Sequence, residues 1–489
     1  MKTTNITCMV LVICLVSGVQ GQLHRTNGFS LNQNTGPALM SNAINDIMIV
    51  DEDVWVATGR GLSLTTDGGE TWTAFTHEDS LGKGGVSAMA ERDGIVWVAT
   101  AFDTMTDVGE MTAGGGLSYT TDHGDTWHWI RQPVDSRYET EYAPTTTNVQ
   151  NITYDIALTD SAVWIASFAG GLRKSTDWGV TWDVVTVDGL PFDVVDHLTH
   201  RVFSVISVDG DIWVGSAGGI HKSTDEGRHW ITFNHQNQIQ GISGNFVVAL
   251  GHQSHQDKDI IWGATLSAVD ISEFYAVSTT QDGGLTWSTC LEREFTHNFA
   301  FDGLAVYAAT DNGLFKSLDF GDTWSVFPQI IDSETGEGVY TTEMYSVDVG
   351  PQSVLWVGGS DGLARTSDNG NTWRVFRAFR VPGEEGTPKT YAYPNPFSPV
   401  RHHQIGGDGY VRFQYQTTHS TRVTVRVYDF GMNLVATVVE EKVRPVAGDY
   451  AEVWNGRNQV GDMVANGVYF YTITMPGEVL LWGKVMVVN

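Results

Sequence analysis

The sequence predicts an all-β chain: a closed ring of seven four-stranded units, a seven-bladed β-propeller, followed by a smaller strand-rich domain. Three observations carry this expectation. The phrase Ser/Thr-x-Asp-x-Gly-x-Thr-Trp returns seven times, beginning at Thr65, Thr120, Ser175, Ser223, Thr280, Ser317 and Thr366. An apolar strand ending in an aromatic residue and small residues precedes every copy. The copies are spaced 37 to 57 residues apart, which is where one propeller blade repeats.

Six copies are complete, and the fourth has His229 in place of Thr. Each supplies an aspartate: Asp67, Asp122, Asp177, Asp225, Asp282, Asp319 and Asp368. Its short, acceptor-only side chain can bind the amides of the turn that follows. Gly permits positive φ, the hydroxyls tie the loop ends, and the closing Trp fits between adjacent sheets. The phrase resembles the Asp-box, or BNR repeat, of sialidases, sortilin-type receptors and xyloglucanases. That resemblance is confined to the motif, which recurs across unrelated activities, so the seven aspartates are expected to be structural.

The strand before each box reads Trp55-Val56-Ala57-Thr58 in the first unit, with Trp97, Trp164, Trp213, Trp262 and Trp356 at the same place later and Tyr307 in the sixth. A further apolar strand precedes it, as at 44–50 and 202–208. The order per unit is therefore strand, tight turn, Trp strand, Gly-rich turn, strand, box, Trp strand.

Of the 17 Trp, thirteen occupy the two repeat positions, so the aromatics read as blade filler. The formal net charge is −29 with only 28 Lys and Arg, which argues against a nucleic-acid partner and reads as a solubilising surface. Residues 1–21 read as a secretory signal: Lys2, an apolar core over 9–16, and Val19-Gln20-Gly21 before Gln22. That core is too short to span a bilayer, and no later segment reads as a membrane helix. Cys8 and Cys14 fall inside the signal, leaving Cys290 alone and stability dependent on ring closure.

The propeller is expected over 22–380, a Pro/Gly linker over 381–390, and the second domain over 391–489. The latter opens with Tyr393-Pro394-Asn395-Pro396-Phe397 and carries Trp454-Asn455-Gly456 and Gly467-Val468-Tyr469-Phe470-Tyr471. This combination resembles the type A C-terminal sorting domain of type IX secretion cargo, which shares the immunoglobulin-like sandwich of flagellar hook-capping proteins. The resemblance implies an Ig-like β-sandwich, the type IX secretion machinery as partner of residues 391–489, and a secreted or cell-surface location outside a Gram-negative outer membrane.

Repeat spacing maps the candidate site. The distance from strand-two aromatic to box Trp is 17 residues in four units, but 30 in the second and 25 in the fifth. The extra residues lie between the second and third strands, at the end of the ring opposite the boxes, where long unit-to-unit connections also emerge. These loops offer Asp103, Asp107 and Glu110; Tyr138, Glu139, Glu141 and Tyr142; Asp270, Glu273, Phe274 and Tyr275; and Asp332, Glu334 and Glu337. Carboxylates beside rings suit sugars or a cation. The ligand-binding expectation rests on Asp103, Asp107, Glu110, Tyr138, Asp270 and Glu273. No catalytic residue, cofactor or metal is assigned, though calcium remains open.

Sharper activities fit poorly. The Arg-bearing Phe-Arg-Ile-Pro-type motif of sialidases precedes the first box, whereas Phe379-Arg380-Val381-Pro382 follows the last. Xyloglucanases place two carboxylates across a cleft between two propellers, and only one is present here. His252, His255, Asp257 and Asp259 have metal-like spacing but no Cys or helix to set geometry; Asp196, His197 and His200 make a weaker set. The expected role is non-catalytic recognition of extracellular polysaccharide or a protein partner. The alternative is a glycan-active hydrolase or lyase with two of the loop carboxylates converging at roughly 5–10 Å.

Overall fold

Wherever β-branched and aromatic residues alternate between Gly- and Asp-rich turns, the chain forms strands. The computed structural model describes residues 39–107, 109–134, 150–380, 382–383 and 387–489. The 1–21 signal and Tyr138, Glu139, Glu141 and Tyr142 lie outside the described residues. Described residues 39–330 and 343–377 form one unit, and 331–342 with 378–489 a second.

In the first unit, β1 (Ile44–Val50), β2 (Asp53–Thr58), β3 (Gly61–Thr65) and β4 (Thr73–Phe75) form an antiparallel sheet in chain order. β5 (Gly85–Arg92), β6 (Ile95–Thr106), β7 (Gly109–Thr120) and β8 (His128–Ile130) form the next. Five more four-stranded sheets follow, seven among the described residues of this unit. The first strands of successive sheets are neighbours, and that of the seventh sheet, Met344–Gly350, adjoins β1, so the order is cyclic.

Two devices join sheet to sheet. Four of the repeated Trp at the end of a box pack edge-on against a strand-two ring of the preceding sheet: Trp127 on Trp55 at 6.2 Å, Trp230 on Trp164 at 6.4 Å, Trp324 on Trp262 at 6.3 Å, and Trp72 on Trp356 of the seventh sheet at 6.3 Å. The box glycine sits where a side chain cannot: Gly124 has φ 90°, and a Cβ there would lie 2.7 Å from Phe75 of the first sheet. The second device is a bulge. Every first strand slips register by one residue, at Asn45, Ser87, Tyr154, Phe203, Val248, His297 and Tyr345. The extra residue re-aims its side chain out of the pleat.

The second unit has a three-stranded sheet, ordered Thr390–Tyr393, Val411–Thr417, Gly448–Trp454. A four-stranded sheet is ordered Leu434–Arg444, Thr421–Tyr428, Gly467–Thr474, Leu481–Val487. Phe397, Phe413, Val425, Trp454, Tyr471 and Val485 share one buried cluster. The opening motif is tied to the last strand: Phe397 N–H donates to Met486 O at 2.7 Å, and the Asn395 amide group bonds both Lys484 O and Met486 N–H. Trp454 donates its indole N–H to Arg457 O at 2.8 Å, so its polar edge is satisfied inside the core.

Candidate functional site

The seven repeated aspartates are consumed by their own turns. Asp67 accepts Thr71 N–H at 2.9 Å and Thr71 Oγ1–H at 2.6 Å, and takes a third bond from Thr65 Oγ1 at 2.9 Å. The pattern recurs at Asp122, Asp177, Asp282, Asp319 and Asp368. In the fourth copy the His229 ring nitrogen lies 2.6 Å from Asp225 Oδ2, standing in for the missing hydroxyl. The threonine hydroxyl and amide bonds hold the Asp67 and Asp122 carboxyls down at about 2.

At the opposite end, the inserted residues of the second sheet form a continuation of its hairpin, in which β6 and β7 pair as far as Thr106↔Gly109. Asp103 pairs with Thr112 and Met105 with Glu110, so Asp103 and Glu110 lie diagonally on one face. Both are exposed, as is Asp107 at the tip. Asp103 accepts a bond from Thr112 Oγ1 at 2.8 Å. Asp270 belongs to the fifth sheet, which is separated from the second by two intervening sheets.

Glu273 requires a correction. It is only 7 % exposed and serves its own loop: Ala268 N–H at 2.6 Å, Asn245 Nδ2–H at 2.8 Å, Gln236 Nε2–H at 3.1 Å and Asn245 N–H at 3.2 Å all donate to it. Both oxygens are occupied, so Glu273 frames the loop instead of presenting a group from it. Phe274 and Tyr275 beside it are exposed.

The histidine candidates are dispersed. His252 and His255 are three residues apart on the strand Phe246–His255 and point to opposite faces. His252 contacts Asp259, whereas His255 faces Phe320 at 6.1 Å between ring centroids. His200 is buried, with Nε2 at 2.9 Å from Asp188 Oδ1 and Nδ1 accepting Asp193 N–H at 2.9 Å. It braces its connection with both ring nitrogens. Among the described residues no three His, Cys, Asp or Glu side chains are grouped to hold a metal.

A polar pocket lies elsewhere, on the ring axis. A cavity of about 190 Å³ is lined by residues of the first strands, among them Asn45, Asp46, Tyr154, Asp155, Phe203 and Tyr345. The residue after each bulge is Asp46, Ala88, Asp155, Ser204, Ala249, Asn298 or Ser346. Three of these reach the next sheet's backbone: Asp155 accepts Val205 N–H at 2.9 Å, Ser204 accepts Leu250 N–H at 3.0 Å, and Ser346 accepts Ile47 N–H at 2.9 Å. Burial dominates the titration of this group. It lifts Asp46 to about 7 against the bonds from Ser346 and Ile47, and lifts Asp155 and Asp348 to about 6. Sequence reasoning missed this belt. Its one legible signal was a polar residue placed third in otherwise apolar first strands.

No protein-family model and no curated protein matches the chain. Solved structures do. A GH74 enzyme of Niastella koreensis is 14 % identical with a TM-score of 0.51, covering 94 % of this chain and 74 % of its own. An ancestral GH74 enzyme is 14 % identical with a TM-score of 0.52, over 93 % of this chain and 63 % of its own. PorZ, a surface component of the type IX secretion system of Porphyromonas gingivalis, is 15 % identical with a TM-score of 0.40, over 91 % of this chain. The chain spans 66 % of the PorZ length. At these identities the GH74 likeness speaks for the fold: an all-β chain of many four-stranded sheets.

Proposed function

We propose that the chain is an exported, cell-surface recognition module. In this reading a seven-bladed Asp-box propeller over 22–380 binds an extracellular polysaccharide or protein at its loop-rich end, and an Ig-like domain over 391–489 serves type IX sorting. The cyclic order of seven sheets and the GH74 fold likeness support the ring. The packing of Phe397, Trp454 and Tyr471 into one core supports the sandwich and gives the resembling motifs a shared physical role.

Recognition is favoured over hydrolysis by one observation: among the described residues, the loop carboxylates do not form an enclosed pair. Asp103 and Glu110 share a hairpin face but stand exposed, and Glu273 is spent on its own loop. A glycosidase needs its acid and its base or nucleophile flanking one bond in a site that desolvates the acid. The full chain should therefore retain on immobilised polysaccharides or sialylated glycans without releasing product. Product release abolished by Asp103→Asn or Glu110→Gln would replace this reading with the hydrolase.

A further inference from the structure

We propose that the axial cavity of the first unit binds a primary alkylammonium group, carried by a lysine side chain or by a free diamine. The inference is independent of the glycan reading, and failure of glycan binding leaves it standing.

Charge is the first argument. Asp46, Asp155 and Asp348 gather on the first strands of three sheets, and each receives hydrogen bonds only from neutral donors: backbone amides and the hydroxyls of Ser346 and Ser204. None has an ion-pair partner among the described residues. His297, which lines the same cavity, has its Nε2 2.8 Å from Asp311. Asp46 and Asp155 line the cavity, and it is burial first, then the nearby charges of Asp155 and Asp348, that makes an uncompensated charge on Asp46 unfavourable.

Unused hydrogen-bonding capacity is the second. Asp46 Oδ1 takes both bonds, from Ile47 N–H at 2.9 Å and Ser346 Oγ–H at 3.0 Å, and Oδ2 accepts none. The Tyr154 hydroxyl makes no hydrogen bond within the described residues, although burial alone drives its titration upward. Both side chains line the cavity. Neither atom is walled off, so an acceptor and a hydroxyl both present free hydrogen-bonding capacity to whatever enters the cavity.

The third argument is shape. The bulges aim Tyr154, Phe203, His297 and Tyr345 toward the axis from four sheets, and their rings touch in pairs: Tyr154–Phe203 at 5.7 Å and His297–Tyr345 at 5.3 Å. Carboxylates beside aromatic faces suit a compact cation on an apolar stem, through charge-assisted bonds and cation–π attraction. Asp155 already has both oxygens bonded, and Asp46 offers one. A single open oxygen fits the point charge of an ammonium better than the fork of a guanidinium.

The test is calorimetric titration of the full chain with 1,4-diaminobutane and with Nα-acetyl-lysine amide, using 1-butanol as the uncharged control. Saturable one-to-one binding of at least one amine is expected, with none for butanol. Asp46→Asn should weaken it at least tenfold. Ala249→Phe should do the same by filling the cavity wall without touching a carboxylate. Should either variant fail to melt like the parent, Tyr154→Phe, which removes one hydroxyl, is expected to weaken binding threefold or more. Tighter binding of the lysyl probe identifies a protein partner, and tighter binding of the diamine a small ligand. No binding of either amine, equal binding of butanol, or affinities unchanged in folded variants would overturn the proposal.

Discussion

Ser346 and Asp46, three hundred positions apart, meet where the seventh sheet adjoins the first. The serine hydroxyl donates to Asp46 Oδ1 at 3.0 Å and accepts the Ile47 amide at 2.9 Å. Ile47 is buried, so its amide has no water to fall back on. Ser346→Ala removes both bonds but leaves the Ile47 amide its second acceptor, Asp46 Oδ1 at 2.9 Å, so the cost should be about 0.5–1.5 kcal/mol, that of an ordinary hydrogen bond. Urea unfolding of the two chains side by side checks this, and an unchanged midpoint would show that the seam does not depend on that hydroxyl.

Asp46 gives the seam a pH dependence. Its carboxyl is raised from an ordinary 3.8 to about 7, so the folded state binds the proton more tightly than the unfolded chain. The stability from this is complete below about pH 4 and fades as the pH climbs through 7. Asp155 and Asp348, both lifted to about 6, act in the same direction. Asp46→Asn keeps an acceptor and removes the charge. It should melt higher than the parent at pH 8 and the same at pH 4; a lower melting temperature at pH 8 would contradict the sign.

The repeated aspartates pull the other way. Their carboxyls are lowered by threonine donors, so their contribution is present above about pH 4 and is lost as pH falls toward 2. Maximum thermal stability is expected between the two windows, near pH 4–6. Asp177→Ala should lower the melting temperature at pH 6 and matter less at pH 2.

Glu273 and Asp270 share a loop but should behave differently. Glu273→Ala strands several donors beneath the loop and should make residues 266–276 sensitive to protease at a cost of about 1–3 kcal/mol. Asp270→Asn should leave cleavage unchanged, because Asp270 is exposed, its bonds to Ser272 lie at the surface, and an amide oxygen can replace its acceptor.

Asp361 is fully buried and paired with Arg377, whose Nη1 lies 2.7 Å from Oδ1 and Nη2 3.3 Å from Oδ2. Asp361→Ala removes the fully buried partner of this pair and should cost about 3–5 kcal/mol. A chemical-denaturation midpoint within error of the parent would show that Arg377 finds water instead.

The ring was legible because its signal is local and repeated. Asp67, Gly69, Thr71 and Trp72 act within one turn, and the next copy repeats the same chemistry 55 positions on. The axial belt was hidden for the opposite reason. Asp46, Asp155, Ser204 and Ser346 are one residue per repeat, chemically varied, and become neighbours only when the cycle closes. The bulge that aims Tyr154 and Phe203 inward also breaks strict alternation, so reading period two along the strand misplaces them. Glu273 looked like a surface carboxylate by composition. The donors that bury it come from residues 236 and 245, on the preceding connection.

Each sheet of the first unit draws its four strands from one uninterrupted stretch of chain, and none borrows a strand to lock the circle. The junction between the seventh and first sheets is thus an ordinary junction that the backbone does not happen to cross. Circular permutants opened between any two other sheets, with the present seam bridged by a linker, would keep every pairing intact. Duplication of a single sheet-encoding segment would likewise change the size of the circle without rewriting the local code.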